Sequence, residues 1–100
     1  MDFEVVWTEP AVAHLQSITT YIAEYNPSAA ERTANAILER VERLRNVPLI
    51  GAPYPRGSHG RVREVVSGKY RIFYRVFEDK KRVEILAVWH SSRQEPDLPS

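Results

Sequence analysis

Apolar residues at Ala11, Leu15, Ile18, Ile22 and Tyr25 are spaced four, three, four and three apart, which draws one stripe along a helix. The rhythm returns at Ala30, Ala34, Ile37, Val41 and Leu44, with Glu31, Arg32, Asn35, Glu39, Arg40, Glu42 and Arg43 on the other faces. Thr8 stands before the first stripe as an N-cap, and Pro10 falls in the first turn, where its missing N–H costs nothing. Asn26 and Pro27 stop one helix and start the next. Helices over 9–25 and 27–46, joined by almost no linker, predict an antiparallel α-hairpin. The alanines at 30 and 34 let the two backbones approach closely.

Elsewhere the period is two. Residues 3–7 form a short β-branched and aromatic run, and so do residues 61–66, 70–77 and 82–89. A tight Ser67, Gly68, Lys69 link and a short charged link separate the last three, which predicts an antiparallel meander. In the middle run Tyr70, Ile72, Tyr74 and Val76 share one side, the expected core face. Arg71, Phe73, Arg75 and Phe77 share the other, a basic and aromatic ladder facing solvent or a partner. The helices have one apolar surface on which to bury their stripes, a face of the sheet. The fold class is therefore α+β: a strand, a helical hairpin, then a three-stranded meander, with the helices on one sheet face. Residues 47–60 read as an irregular loop, since residues 46–60 hold three prolines and three glycines. A single domain over residues 1–93 is expected, followed by a polar tail over 94–100 that frays.

Composition narrows the chemistry. There is no cysteine, and His14, His59 and His90 are widely scattered, so neither a disulfide framework nor a metal site is expected. No cofactor motif is present. The start of the chain is acidic and lacks an apolar signal core, and no run approaches a membrane span, so a cytoplasmic protein is expected. Net charge is only +1, but residues 1–50 carry −3 and residues 51–100 carry +4. From Arg56 to Arg75 there are six basic residues and one acidic residue, Glu64. Such asymmetry marks an anion-facing surface or an exposed edge kept soluble by arginine.

Taken in order, several segments resemble one family. They are Val5 to Thr8 with Ala11 and Leu15, Ile18 with Tyr21 to Ala23, Asn26 with Pro27, and Ala29 with Ala30. Leu44, Pro48 and Gly51 follow, then Tyr70 to Tyr74 and Val88 to Arg93. Together they resemble the RelE/ParE superfamily of toxins from toxin–antitoxin pairs. The resemblance implies that superfamily's fold and a small antitoxin that holds the toxin inactive. One branch, RelE-like, cleaves messenger RNA in the ribosome by metal-independent attack of the ribose 2′-hydroxyl. That reaction needs a base, cations for the phosphorane and an acid for the leaving oxygen. The ParE-like branch keeps the fold, lacks that set and poisons DNA gyrase.

The resemblance carries over unevenly. Arg71 matches the arginine that contacts phosphate in the ribonucleases, yet ParE-like members carry it too. Arg63 lies where the ribonucleases place basic residues, but their closely spaced lysine pair is missing. His90 could act as a general base, or close the end of the sheet by hydrogen bonding. Arg93 could clamp a phosphate or fix the tail. The ribonuclease reading therefore rests on Arg63, Arg71, His90 and Arg93. Against it, residues 94–100 lack the terminal aromatic of many ribonuclease members, and a near-neutral chain suits the anionic ribosome poorly. The expectation is a ParE-like toxin that binds gyrase. A ribosome-dependent endoribonuclease and a degenerate antitoxin-binding module are the alternatives. Contact residues for target or antitoxin are Arg61, Arg63, Arg71, Phe73, Arg75, Phe77, His90 and Arg93.

Overall fold

The computed structural model describes residues 2–55 and 61–93. Strand β1 (Glu4–Trp7) passes through Thr8 into helix α1 (Glu9–Tyr25), and Asn26 alone separates α1 from α2 (Pro27–Glu42). A 3₁₀ turn (Arg43–Arg45), then strands β2 (Ala52–Pro53), β3 (Val62–Ser67), β4 (Tyr70–Phe77) and β5 (Arg82–His90) complete the order. Capping explains the boundaries. The Thr8 hydroxyl accepts the Ala11 N–H at 3.4 Å and donates to the Ile85 carbonyl at 2.7 Å, which pins the start of α1 to the sheet. Asn26 donates its N–H to the Ile22 carbonyl at 2.8 Å and accepts the Ala29 N–H on Oδ1 at 3.1 Å. One residue thus ends one helix and begins the next.

The strands lie in the order β1-β5-β4-β3-β2. β1 runs parallel to β5, from Glu4 opposite Arg82 to Trp7 opposite Ile85, and the remaining pairs are antiparallel. A parallel pair needs a long crossover, and the helical hairpin supplies it. Both helices cover one sheet face, where Ile37, Val41 and Leu44 meet Val65, Ile72, Tyr74, Val83, Ile85 and Val88. The α+β class and the middle strand's core face, with Ile72 and Tyr74 fully buried, agree with the sequence.

Four details depart from it. Tyr25 belongs to the α1 stripe by spacing, yet is 73% exposed, its ring meeting that of Tyr21 on the helix surface instead of entering the core. The second helix ends at Glu42 and tightens into the 3₁₀ turn that buries Leu44. The expected loop holds a two-residue edge strand, β2, paired with β3 through Ala52 and Glu64, and Pro53 is tolerated because the edge needs no further donor. Finally, the second face of the sheet is not simply exposed. Phe73 is fully buried there with Tyr54, Val62, Leu86 and Ala87, a second small core. The rest of the loop, residues 56–60, and the tail, residues 94–100, lie outside the described residues.

The second core depends on a bulge. Phe73 opposes Ala87 and Tyr74 opposes Ile85, so Leu86 is an extra residue in β5. Leu86 and Ala87 consequently both face the outer side, and every later residue of β5 changes face relative to strict alternation.

Candidate functional site

On the outer sheet face, Arg71 donates from Nε to Glu64 Oε2 at 2.8 Å. Its guanidinium carbon lies 4.9 Å from the centroid of Phe73 and 5.9 Å from that of Tyr54. Arg75 stands four residues on, with its guanidinium carbon 5.5 Å from the Phe77 centroid, and Lys80 Nζ lies 5.7 Å from the same ring. Arg75 Nε is buried and has no hydrogen-bond partner among the described residues. Cations stacked on aromatic faces are held in place at little entropic cost, each contact contributing about 0.5–1 kcal/mol where exposed. This is an ordered cationic ladder, with one rung already neutralised by Glu64.

The inner face carries a different group, at the far end of β5. β1 stops at Trp7 opposite Ile85, so the following stretch of β5 has no strand on that side. α1 fills the gap with His14, whose Nδ1 accepts the Val88 N–H at 3.3 Å and whose ring meets Trp89 edge-on at 5.2 Å. Burial lowers the His14 pKa from its ordinary value, in keeping with a neutral ring that accepts. Beyond it His90 packs edge-on against Tyr70, its cross-strand neighbour, at 5.4 Å. The Ser92 N–H donates to His90 Nδ1 at 3.1 Å, and Ser92 Oγ lies 2.6 Å from the same atom. A backbone N–H can only donate, so Nδ1 accepts and the neutral imidazole carries its proton on Nε2.

Between α1 and this end of β5 lies a cavity of about 390 Å³, bounded by His14, Ile18, Ile22, Tyr70, His90 and Arg93 among others. A second hollow, about 500 Å³, continues from Ile22, Tyr70 and His90 toward Arg32 and Lys69. No carboxylate lines either hollow among the described residues.

The predicted contact residues thus divide. Arg71, Phe73, Arg75 and Phe77 share the outer face, with Phe73 buried beneath the arginines. His90 and Arg93 lie at the cavity on the helical side. Arg63, opposite Tyr74 in the register, also belongs to the helical side, where Nη1 donates to the carbonyls of Leu49 at 3.2 Å and Gly51 at 2.8 Å. Arg61 is exposed just before β3. The quartet Arg63, Arg71, His90 and Arg93 is not one constellation, since Arg71 and His90 point to opposite faces and Arg63 closes the loop before β2. Among the described residues no group of three His, Asp or Glu side chains could hold a metal ion. No described helix is long and apolar enough to cross a membrane.

The sequence reading missed Tyr54, Trp89 and His14. Tyr54 sat in a stretch read as irregular, and His14 entered only as one of three scattered histidines. The signal for His14 was available, since a histidine one turn into α1 beside a strand edge can cap an N–H.

The family model for the ParE toxin of the type II toxin–antitoxin system parDE matches residues 5–95. The chain belongs to the ParE toxin family. This ParE-family chain is 36% identical over 94 residues to the candidate toxin Y4kP of Sinorhizobium fredii, covering 92% of each protein. Its fold is similar to that of a chain from the chromosomal ParDE system of P. aeruginosa, with a TM-score of 0.73 and 25% identity over 88% of this chain and 95% of that one. The RelBE2 complex of Mycobacterium tuberculosis shares the fold at a TM-score of 0.67 and 24% identity, covering 90% and 99%. So does isolated E. coli RelE, at 0.62 and 19%, covering 93% and 88%. The ParE-family chain is a type II toxin–antitoxin toxin of the RelE/ParE superfamily, as the sequence led one to expect.

Proposed function

We propose that this chain acts as a ParE-like toxin, inhibiting DNA gyrase by binding it, and that a cognate antitoxin neutralises it. The observation that carries the reading is the separation of the four residues a ribonuclease mechanism would need. General acid–base catalysis requires the base and the phosphate-holding cation to reach the same phosphate. Here Arg63 is committed to two loop carbonyls, and Arg71 is paired to Glu64 on the face opposite His90. What remains is a cationic, aromatic surface suited to gripping a partner. The membership in the ParE toxin family and the likeness to a ParDE chain support the same branch. The antitoxin partner is supported by the similar folds of toxins solved in complex with theirs.

The test is purified chain added to a gyrase supercoiling reaction. Supercoiling is expected to fall, with accumulation of cleaved DNA. Full supercoiling without cleaved DNA, together with messenger RNA cleavage in translating ribosomes, would assign the protein to the RelE-like alternative. One observation favours that second reading: His90 offers an Nε2–H beside Arg93, a donor and a cation on one hollow. Growth unimpaired by expression without an antitoxin would favour the degenerate module.

A further inference from the structure

The cavity between α1 and the end of β5 plays no part in the gyrase reading, which rests on the outer face. It meets the second hollow at Ile22, Tyr70 and His90, and the two make one furrow across the end of the sheet. The side-chain nitrogens on the cavity wall are donors. The Ser92 N–H fills His90 Nδ1 and the Val88 N–H fills His14 Nδ1, so each neutral ring carries its proton on Nε2. Arg93 adds a guanidinium, brought there by the turn that closes β5. In that turn the Ser91 N–H donates to the Lys69 carbonyl at 2.8 Å, and the Arg93 N–H to the His90 carbonyl at 3.0 Å. The chain folds back on itself, and the Arg93 side chain returns to the cavity that His90 lines. No carboxylate lines the cavity among the described residues, so nothing on its wall offsets this charge. The remaining wall is apolar, with Ile18, Ile22 and Val88 beside the ring of Tyr70, which stands at 90° to that of His90.

We propose that this cavity binds a small organic oxyanion, a phosphate or carboxylate carried on one planar ring. The ring lies against Ile18, Ile22 and Tyr70, and the oxyanion meets Arg93 and the Nε2–H of His90. Three features select this ligand. The volume, about 390 Å³, falls at the small end of small-molecule sites (roughly 300–1,000 Å³) and suits a single ring with its acid group. Donors grouped around a guanidinium repel a cation and leave a neutral ligand without use for Arg93, whereas an oxyanion takes charge-assisted hydrogen bonds from both residues. The His90 ring is fixed before the ligand arrives, by Ser92 and by Tyr70, so less freedom is lost on binding. Lys69 and Arg32, in the adjoining hollow, extend the positive potential along the furrow and favour the approach of an anion. A bare anion would leave the apolar wall wet, and an apolar molecule would leave the guanidinium unanswered. Because the cavity is apart from the outer ladder, the proposal stands or falls independently of the gyrase reading.

The experiment titrates the purified full chain, labelled with nitrogen-15, and follows its amide shifts by NMR. Phenyl phosphate and benzoate are the probes; inorganic phosphate, acetate and benzyl alcohol supply the acid group or the ring alone. At least one probe is expected to saturate below about 1 mM and to shift the amides of Val88, His90 and Arg93. It should bind about tenfold or more tightly than any of the three fragments, and the tighter of the two probes identifies the acid group. Arg93→Gln removes the charge, and Ser17→Trp fills the cavity from an exposed site on α1. Each is expected to weaken the probe about tenfold or more. Lys80→Gln, on the outer face, is expected to change it less than about twofold. Melting curves that match the native chain show that each variant is folded. No saturable shift of those amides with either probe, at about ten times the expected concentration, would overturn the proposal. Inorganic phosphate or acetate binding as tightly as the probes would also overturn it, by reducing the cavity to a charged rim. So would weakening by only one of the two cavity variants, or by neither, since the ligand needs both the guanidinium and the space. An adenylyl dinucleotide that binds the same amides about tenfold more tightly than either probe would assign the cavity to RNA instead.

Discussion

At the residue scale, Gly51 illustrates how little room this fold leaves at one joint. A Cβ there would stand 2.4 Å from Tyr74 Oη and 2.7 Å from the Glu64 carbonyl oxygen. Neither neighbour can retreat, because Tyr74 is fully buried and accepts the Gly51 N–H at 2.9 Å, and Glu64 lies in β3. Arg63 holds the Gly51 carbonyl from the other side. Gly51→Ala is expected to cost about 1–3 kcal/mol by overpacking, read as a lower urea midpoint with unchanged slope. An unchanged midpoint would show that the joint yields. His14 gives a second prediction. Its pKa is lowered by burial, so the unfolded chain takes up a proton near the ordinary 6.5 while the folded chain resists it to lower pH. The stability tied to the neutral imidazole is therefore present above about pH 6.5 and is lost as pH falls through the lowered folded value. The drop in melting temperature between pH 7.5 and 5 should shrink in His14→Gln, whose amide oxygen can still accept the Val88 N–H. An equal drop in both proteins would refute the assignment to His14.

At the scale of elements, the hairpin turns on Asn26. The residue leaves its own backbone extended while serving the end of α1 and the start of α2. Losing an N-cap side chain costs about 1 kcal/mol, within a range of roughly 0.5–2. Asn26→Ala is expected to lower stability by that amount, and Asn26→Asp to restore it, in chemical denaturation at neutral pH. Equal stability of Asn26→Ala and the native protein would show that Pro27 alone sets the start of α2. Thr8 does the same work at the other helix, but its hydroxyl also bonds the Ile85 carbonyl, so its replacement would disturb sheet and helix together. These boundaries were legible in the sequence because capping is local chemistry, written in the residue type and its place before a stripe. β2 was not legible. A two-residue strand containing proline has no pattern of its own and exists because β3 offers it an edge.

At the scale of the molecule, the outer and inner faces of the sheet separate residues the sequence had gathered into one site. Binding to gyrase through the outer face predicts that Arg75→Ala with Phe77→Ala weakens supercoiling inhibition by about tenfold or more at unchanged melting temperature. Both residues are half-buried at the surface, so their loss leaves the inner core intact. Inhibition that survives both changes would move the contact elsewhere, to the α-hairpin exterior or the loop before β3. The ladder of Arg71, Phe73, Arg75 and Phe77 was legible as a shared face, because strand alternation is a property of the backbone. That Phe73 would be buried beneath Tyr54 was not, because Tyr54 reaches it through a fold of the chain that no local pattern records. The surroundings of Arg63 were illegible for a related reason: they depended on where the carbonyls of Leu49 and Gly51 came to lie.

By itself the sequence determined the helices, their caps, the meander and the family, since each is written in short-range spacing or in residues taken in order. It could not determine where His90 would point. Strict alternation from Val83 and Ile85 puts Val88 and His90 on the outer face and Trp89 on the inner one. The bulge at Leu86 reverses this, burying Val88 against the helices, turning Trp89 outward opposite Arg71, and delivering His90 to the furrow beside Tyr70. The bulge is settled by two cores competing for one strand: Leu86 and Ala87 fill the outer core with Phe73, while Ile85 and Val88 fill the inner one. Only packing across both faces of the sheet can decide that, and it is what separates His90 from Arg71.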